Sequence, residues 1–208
     1  MIPAPSIGDF FLKHTNPVIR WLIIGDVTFY AAVGLLAPIF AIFIEESVVG
    51  AGPEVVGIAT AIFLITRSMV QIPAAQLVDR IIGDADDFWF MFLSLLLSAI
   101  VPLAYLIIST PLELYLVQFI YGALLAFNYP SFYALFTKYI VKNREATAWS
   151  IYQTFLDLMM AAAAAVGGVA ASYFGFTAVI LGVVVIGVLG SLLLVPIRSR
   201  LRINQPTV

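Results

Sequence analysis

At 208 residues, 62% hydrophobic and only 11% charged, with a mean hydropathy of +1.07, the chain is too apolar for a soluble globular domain, which carries about 25% charge. The absence of cysteine excludes a disulfide framework and a thiolate metal site. A formal net charge of −2 is uninformative by itself, because here the information lies in where the charges fall.

In chain order, the opening "MIPAPSIGDFFLKHTNPVIR" carries two early prolines, Asp9 and His14 ahead of an apolar run too long for a signal-peptide core. It reads as a cytoplasmic segment, residues 1–17, before a retained first span at 18–44, which contains Asp26 and Tyr30. A second span at 55–78 contains Arg67 and Gln71, and a third at 88–108 offers only Ser and Tyr among apolar residues. The fourth, 112–137, carries Gln118, Tyr121, Asn128 and Tyr129; the fifth, 146–172, carries Gln153 and Asp157 and then a small-residue run from Ala161 to Gly168. The sixth, 174–197, is almost purely aliphatic, and residues 198–208 form a basic, polar tail. Each window reaches the ~20 residues that cross a ~30 Å hydrocarbon core as a helix. The expected fold is therefore an all-α integral membrane bundle of six transmembrane helices with no separate soluble domain.

Nine of the ten basic residues fall at alternate ends of these spans: Lys13 and Arg20, Arg80, then Lys138, Lys142 and Arg144, then Arg198, Arg200 and Arg202. The opposite loops carry only Glu45, Glu46, Glu54 and Glu113. By the positive-inside rule both termini are cytoplasmic, in a multi-pass cell-membrane protein. Arg67 is the basic residue this rule leaves unexplained.

Internal repetition supports two three-helix units of opposite topology: "GLLAPIFAIF" at 34–43 is echoed by "ALLAFNYPSFYALF" at 123–136. With these features the chain resembles one six-helix half of the major facilitator superfamily. The family's G-x-x-x-D-R-x-G loop reads "AAQLVDRIIG", with Ala75, Asp79, Arg80 and, one residue late, Gly83; acids Asp84, Asp86 and Asp87 stand where the family has basic residues. Its span-four R-x-x-q-G reads "QFIYG", so Gln118 replaces an arginine linked to proton coupling in many members, and the antiporter G-P-x-x-G-G reads "AAAVGG", keeping Gly167 and Gly168 with Ala164 for the proline. The resemblance implies cavity-lining helices one and four, helices two and five at the contact with another half, and a cytoplasmic gate at Asp79, Arg80 and Gly83, where Asp79, Arg80 and the three acids are expected to cluster with Lys142, Arg144 or Arg200. It also implies twelve helices in a typical member. Six helices return both ends to one side, so two copies can lie parallel as an isologous homodimer; the alternative is a piece of a longer transporter, against which the tail "SLLLVPIRSRLRINQPTV" looks like a finished end.

The polar residues inside the spans are the candidate substrate and proton pathway: Asp26, Tyr30, Arg67, Gln71, Gln118, Asn128, Tyr129, Gln153 and Asp157. Asp26 with Tyr30, Arg67 with Gln71 and Gln153 with Asp157 are each spaced i and i+4, which places each pair on one helix face. Intramembrane charges are mostly functional, but Arg67 and an aspartate could equally lock helices together. The tyrosines could simply pack, Asn128 could cap a kink beside Pro130, and Gly167 and Gly168 read as a close-packing face. A carboxyl in low dielectric can load and release a proton near neutrality, so Asp26 and Asp157 are candidate carriers, with Arg67 stabilising a bare carboxylate or binding an anionic substrate. No nucleotide loop, no nucleophile with a base, no histidine metal site and no nucleic-acid patch is present, so neither an enzyme nor a cofactor is expected. The reading is a secondary transporter of a small lipophilic or amphipathic solute, working by alternating access as a homodimer in the bilayer with proton coupling. The alternatives are a non-transporting scaffold or accessory subunit, and an uncoupled facilitator.

Overall fold

The computed structural model describes residues 16–81 and 83–201; Asp9, Lys13, His14 and Arg202, used in the charge argument, lie outside them. All regular structure among the described residues is helical. The elements are α1 (Pro17–Leu36), α2 (Phe40–Ser47), α3 (Pro53–Arg80), α4 (Asp84–Ile100), α5 (Pro111–Leu125), α6 (Asn128–Tyr139) and α7 (Glu145–Leu192).

Local chemistry sets the boundaries. The Asn16 side chain accepts from the Val18 amide at 2.9 Å while Pro17 opens α1, where its missing donor would be unpaired anyway. Pro38 lies in a 3₁₀ turn, Ala37–Ile39, which separates α1 from α2. Thr110 and Glu113 form a capping box on α5, with the Glu113 carboxylate accepting from the Ser109 and Thr110 amides at 2.8 and 3.0 Å. The fourth apolar window is not one helix: it breaks between Leu125 and Asn128, two residues ahead of Pro130, whose ring cannot donate to the preceding turn. The Ser94 hydroxyl of α4 donates to the Leu124 carbonyl at this break, at 2.7 Å.

Among the described residues, five helical stretches, counted across such breaks, are long and apolar enough to cross a membrane: Pro17–Ser47, Pro53–Arg80, Asp84–Leu106, Pro111–Tyr139 and Glu145–Arg200. The last covers 56 residues, roughly two spans, and is interrupted at Gly175, with φ 77° and ψ 168°. Only glycine enters that region readily. The chain reverses there, because Gly167 packs on Leu35 while Gly187, twenty residues later, packs on Ala32 and Ala99. A straight helix would separate those two glycines by about 30 Å. The fifth and sixth apolar windows are thus two antiparallel arms of α7, joined at a single residue, with the first arm parallel to α1 and the second antiparallel to it.

Small residues govern these approaches. A side-chain carbon on Gly167 would collide with the Leu35 carbonyl, one on Gly190 would crowd the backbone at Phe29, and one on Gly122 would crowd the Phe63 carbonyl of α3. Two apolar clusters fill the bundle. One gathers Leu22, Phe29, Phe88, Phe132 and Phe136 around the first half of α1; the other gathers Phe43, Ile44, Tyr105, Leu114 and Ile180 around α2. By contrast α3 buries little of itself: Leu64, Ile65, Met69 and Ile72 all face outward.

Gly168, expected alongside Gly167 at a packing face, meets open space instead. Gly167→Ala is therefore expected to lower stability by about 1–3 kcal/mol through overpacking, and Gly168→Ala to stay within about 0.5 kcal/mol of the parent. Thermal unfolding of both variants in detergent checks the pair.

Candidate functional site

Asp26 sits in the middle of α1 and is 1% exposed. Two neutral donors hold it: the Tyr152 hydroxyl from α7 donates to Oδ2 at 2.7 Å, and the Asn128 side-chain amide from α6 donates to Oδ1 at 3.3 Å. Among the described residues no cation pairs with it. Asn128 is the first residue of α6 and makes no capping bond, so its side chain serves Asp26 rather than the helix end. Its own Oδ1 is buried without a hydrogen-bond partner among the described residues. Tyr152 is fixed by a ring cluster with Phe132 and Phe136, at centroid distances of 5.0 and 5.8 Å, and with Trp149 at 6.0 Å.

Tyr30 lies one turn along α1 from Asp26. It lines a cavity of about 310 Å³ together with Arg67, Gln118, Tyr121 and a mostly apolar wall that includes Phe63 and Tyr105. Gln118 is buried, and among the described residues Arg67 is the only charged one on this wall. Its guanidinium lies 5.5 Å from the centre of the Tyr129 ring, within cation–π range. Beyond that ring lies a second, more open space of about 400 Å³, lined by Gln71, Gln76, Asp79, Tyr129 and Tyr133. The Tyr129 and Tyr133 hydroxyls are hydrogen-bonded at 3.1 Å. Gln71 is thus separated from the Arg67 cavity, although the two share a helix face.

The remaining candidates fall elsewhere. Gln153 donates to Asp157 at 2.9 Å, but both are exposed on the face of α7 away from Asp26. Among the described residues Arg67 forms no ion pair with either Asp26 or Asp157, the two aspartates that the sequence offered as its partners. The inward face is the one carrying Tyr152, Ala163 and Gly167, and Tyr152 itself lies about 100° round the helix from Gln153. Spacing alone missed Tyr152; its register with the Gly167 packing face was the available signal. Thr60 and Phe63, two turns and one turn before Arg67, also line the cavity and were passed over as ordinary apolar-span residues.

At the far end, Gly83 precedes α4 and Arg144 precedes α7. Among the described residues Asp79, Arg80 and Arg144 form no ion pair, so the charge cluster expected of them is replaced by another. Lys138 of α6 pairs with Asp84 at the start of α4, and the Tyr139 hydroxyl donates to the same carboxylate at 2.5 Å. The cause is geometric: α6 packs on α4, which brings its last turn over the acidic first turn of α4. Arg198 covers the Trp89 ring at 5.3 Å on the same helix.

Because the Asp26 carboxyl relies on two neutral donors, Tyr152→Phe is expected to lower stability by about 1–3 kcal/mol, the cost of leaving a buried polar group unmet. Gln153→Ala, on the exposed face, is expected to change it by less than about 0.5 kcal/mol. Thermal unfolding at fixed detergent and pH distinguishes them.

The comparisons with known proteins join this geometry. Neither the search of curated proteins nor that of solved structures found a match. A family model described as Major Facilitator Superfamily matches residues 22–207, which takes in most of α1, all of α2 to α7 and all the residues of both spaces. The chain belongs to the Major Facilitator Superfamily and is a membrane transporter of that kind.

Proposed function

We propose that the protein is a secondary active transporter of a small lipophilic or amphipathic organic solute, coupled to protons through Asp26. The observation that carries the reading is a buried carboxyl held only by neutral donors, one helical turn from the wall of a cavity. Without a paired cation, the charged form of such a carboxyl is disfavoured by desolvation, so proton loading and release respond to small changes in surroundings. Asn128 suits either state. Its amide nitrogen serves the carboxylate, and a flip of the amide turns the unpartnered Oδ1 toward a protonated Asp26.

The cavity supports the solute class. Its wall is aromatic and aliphatic with few polar groups, Thr60, Arg67 and Gln118 among them, where a sugar site would present more amides. In the proposed arrangement each arm of α7 is one span, giving six, with both termini cytoplasmic as the placement of basic residues requires. Two parallel copies then face each other across their cavities and rock to expose the site alternately. The outward apolar face of α3 and the exposed polar face of the first arm of α7 support a partner at that side.

The test is flux in proteoliposomes for a solute selected by thermal shift from a panel of amphipathic organic acids, bases and neutral compounds, with and without an imposed pH gradient. Asp26→Asn is expected to bind the solute while losing at least tenfold of the gradient-driven flux. Gradient-driven flux equal to the parent's in Asp26→Asn would remove the proton-carrier role.

A further inference from the structure

Arg67 and Asp157 are two charges without an ion-pair partner among the described residues. Arg67 rests on a tyrosine ring, Asp157 has only the Gln153 amide, and no acid lines the cavity. A hydrocarbon surrounding does not tolerate either charge left alone. Their placement is complementary. The two helices that carry them border the same cavity, α3 through Thr60, Phe63 and Arg67, and α7 through Met160, three residues beyond Asp157. Their depth also agrees. Gly122 packs against the backbone at Phe63 and Arg67, and Asn128, six residues further, bonds Asp26; Tyr152 bonds Asp26 from the other side, five residues before Asp157. At 1.5 Å per residue, Arg67 stands about 9 Å and Asp157 about 7.5 Å from the level of Asp26. Both lie toward the Gly34 end of α1, since Gly34 packs on Met160 and Tyr30 and Val33 share the cavity with Arg67.

We propose that a second copy of the chain supplies Asp157 as the counter-charge of Arg67, and receives the same in return, so that two reciprocal Arg67–Asp157 pairs close the cavity mouth. This rests on the homodimer of the preceding section. A two-fold axis along the membrane normal preserves depth, so residues at one level on two different helices meet across it in pairs. A bound organic anion would answer Arg67 alone; the second copy answers both charges with one contact. The outward apolar residues beside them, Leu64 and Met69 on α3 and Leu158 and Val166 on α7, give the same contact a packed surround.

The chain has no cysteine, so introduced thiols report cleanly. Arg67→Cys and Asp157→Cys are placed on separate, differently tagged copies, co-expressed, and treated in membranes with a short bifunctional thiol reagent, because an arginine–aspartate pair holds its backbones further apart than a disulfide. A covalent heterodimer at a yield at least fivefold above that of two Arg67→Cys copies is expected. In parallel, Arg67→Asp and Asp157→Arg are each expected to reduce co-purification of tagged copies at least fivefold, and the double exchange to restore it. If parent copies co-purify but the cysteine pair fails to link and the double exchange does not rescue, the ion pair is wrong and the dimer stands. If parent copies never co-purify while solute flux persists, the dimer itself is wrong. Size-exclusion elution of each variant in detergent separates these outcomes from misfolding.

Discussion

The bundle is organised around one carboxyl group that water cannot reach. Asp26 lies in the middle of α1, and its two bonds draw in α6 through Asn128 and the first arm of α7 through Tyr152. In a bilayer, apolar helix faces gain little by meeting one another, since lipid is equally apolar; packing and interhelical hydrogen bonds decide which helices associate. A buried carboxyl that needs donors from two other helices therefore specifies both their depth and their rotation. The ring cluster of Phe132, Phe136, Trp149 and Tyr152 then holds the tyrosine in place.

Small residues let that arrangement close. Gly167 against Leu35, Gly187 against Ala32 and Gly190 against Phe29 bring both arms of α7 onto α1, and Gly175 allows the reversal between them. Gly122 does the same between α5 and α3, and so brings Arg67 over the Tyr129 ring. The cavity lies where aromatic side chains, not glycines, meet: Tyr30, Phe63, Tyr105 and Tyr121 hold the helices apart. Site and scaffold are thus made by the same helices, with small residues at the contacts and large ones at the space.

Much of this was legible in the sequence, for stated reasons. Hydropathy marks the apolar stretches because a membrane demands length and apolarity above all, and an aspartate or arginine within them stands out. What periodicity does not supply is rotation. The Gln153–Asp157 pair shares a face, and so does Tyr152 with Gly167, but only contact with Asp26 decides which face turns inward. The break at 126–127 falls where Asn128 and Pro130 mark a kink in an otherwise apolar window, but the side chain of Asn128 turns to Asp26 instead of capping it. The Lys138–Asp84 pair was missed because it depends on α6 crossing α4, a contact that local pattern does not encode. Family resemblance carried the general function; the departures from its motifs, above all Gln118 without its arginine and Arg67 with no familiar counterpart, are where residue-level reasoning was required.

The central claim is that Asp26 exchanges a proton while held by Tyr152 and Asn128. Infrared difference spectroscopy of the protein in lipid, recorded across a pH titration, reads this directly. The account predicts a protonated-carboxyl band that comes and goes with pH, shifts in Tyr152→Phe and is missing in Asp26→Asn. A spectrum in which Asp26→Asn removes no pH-dependent band would contradict it.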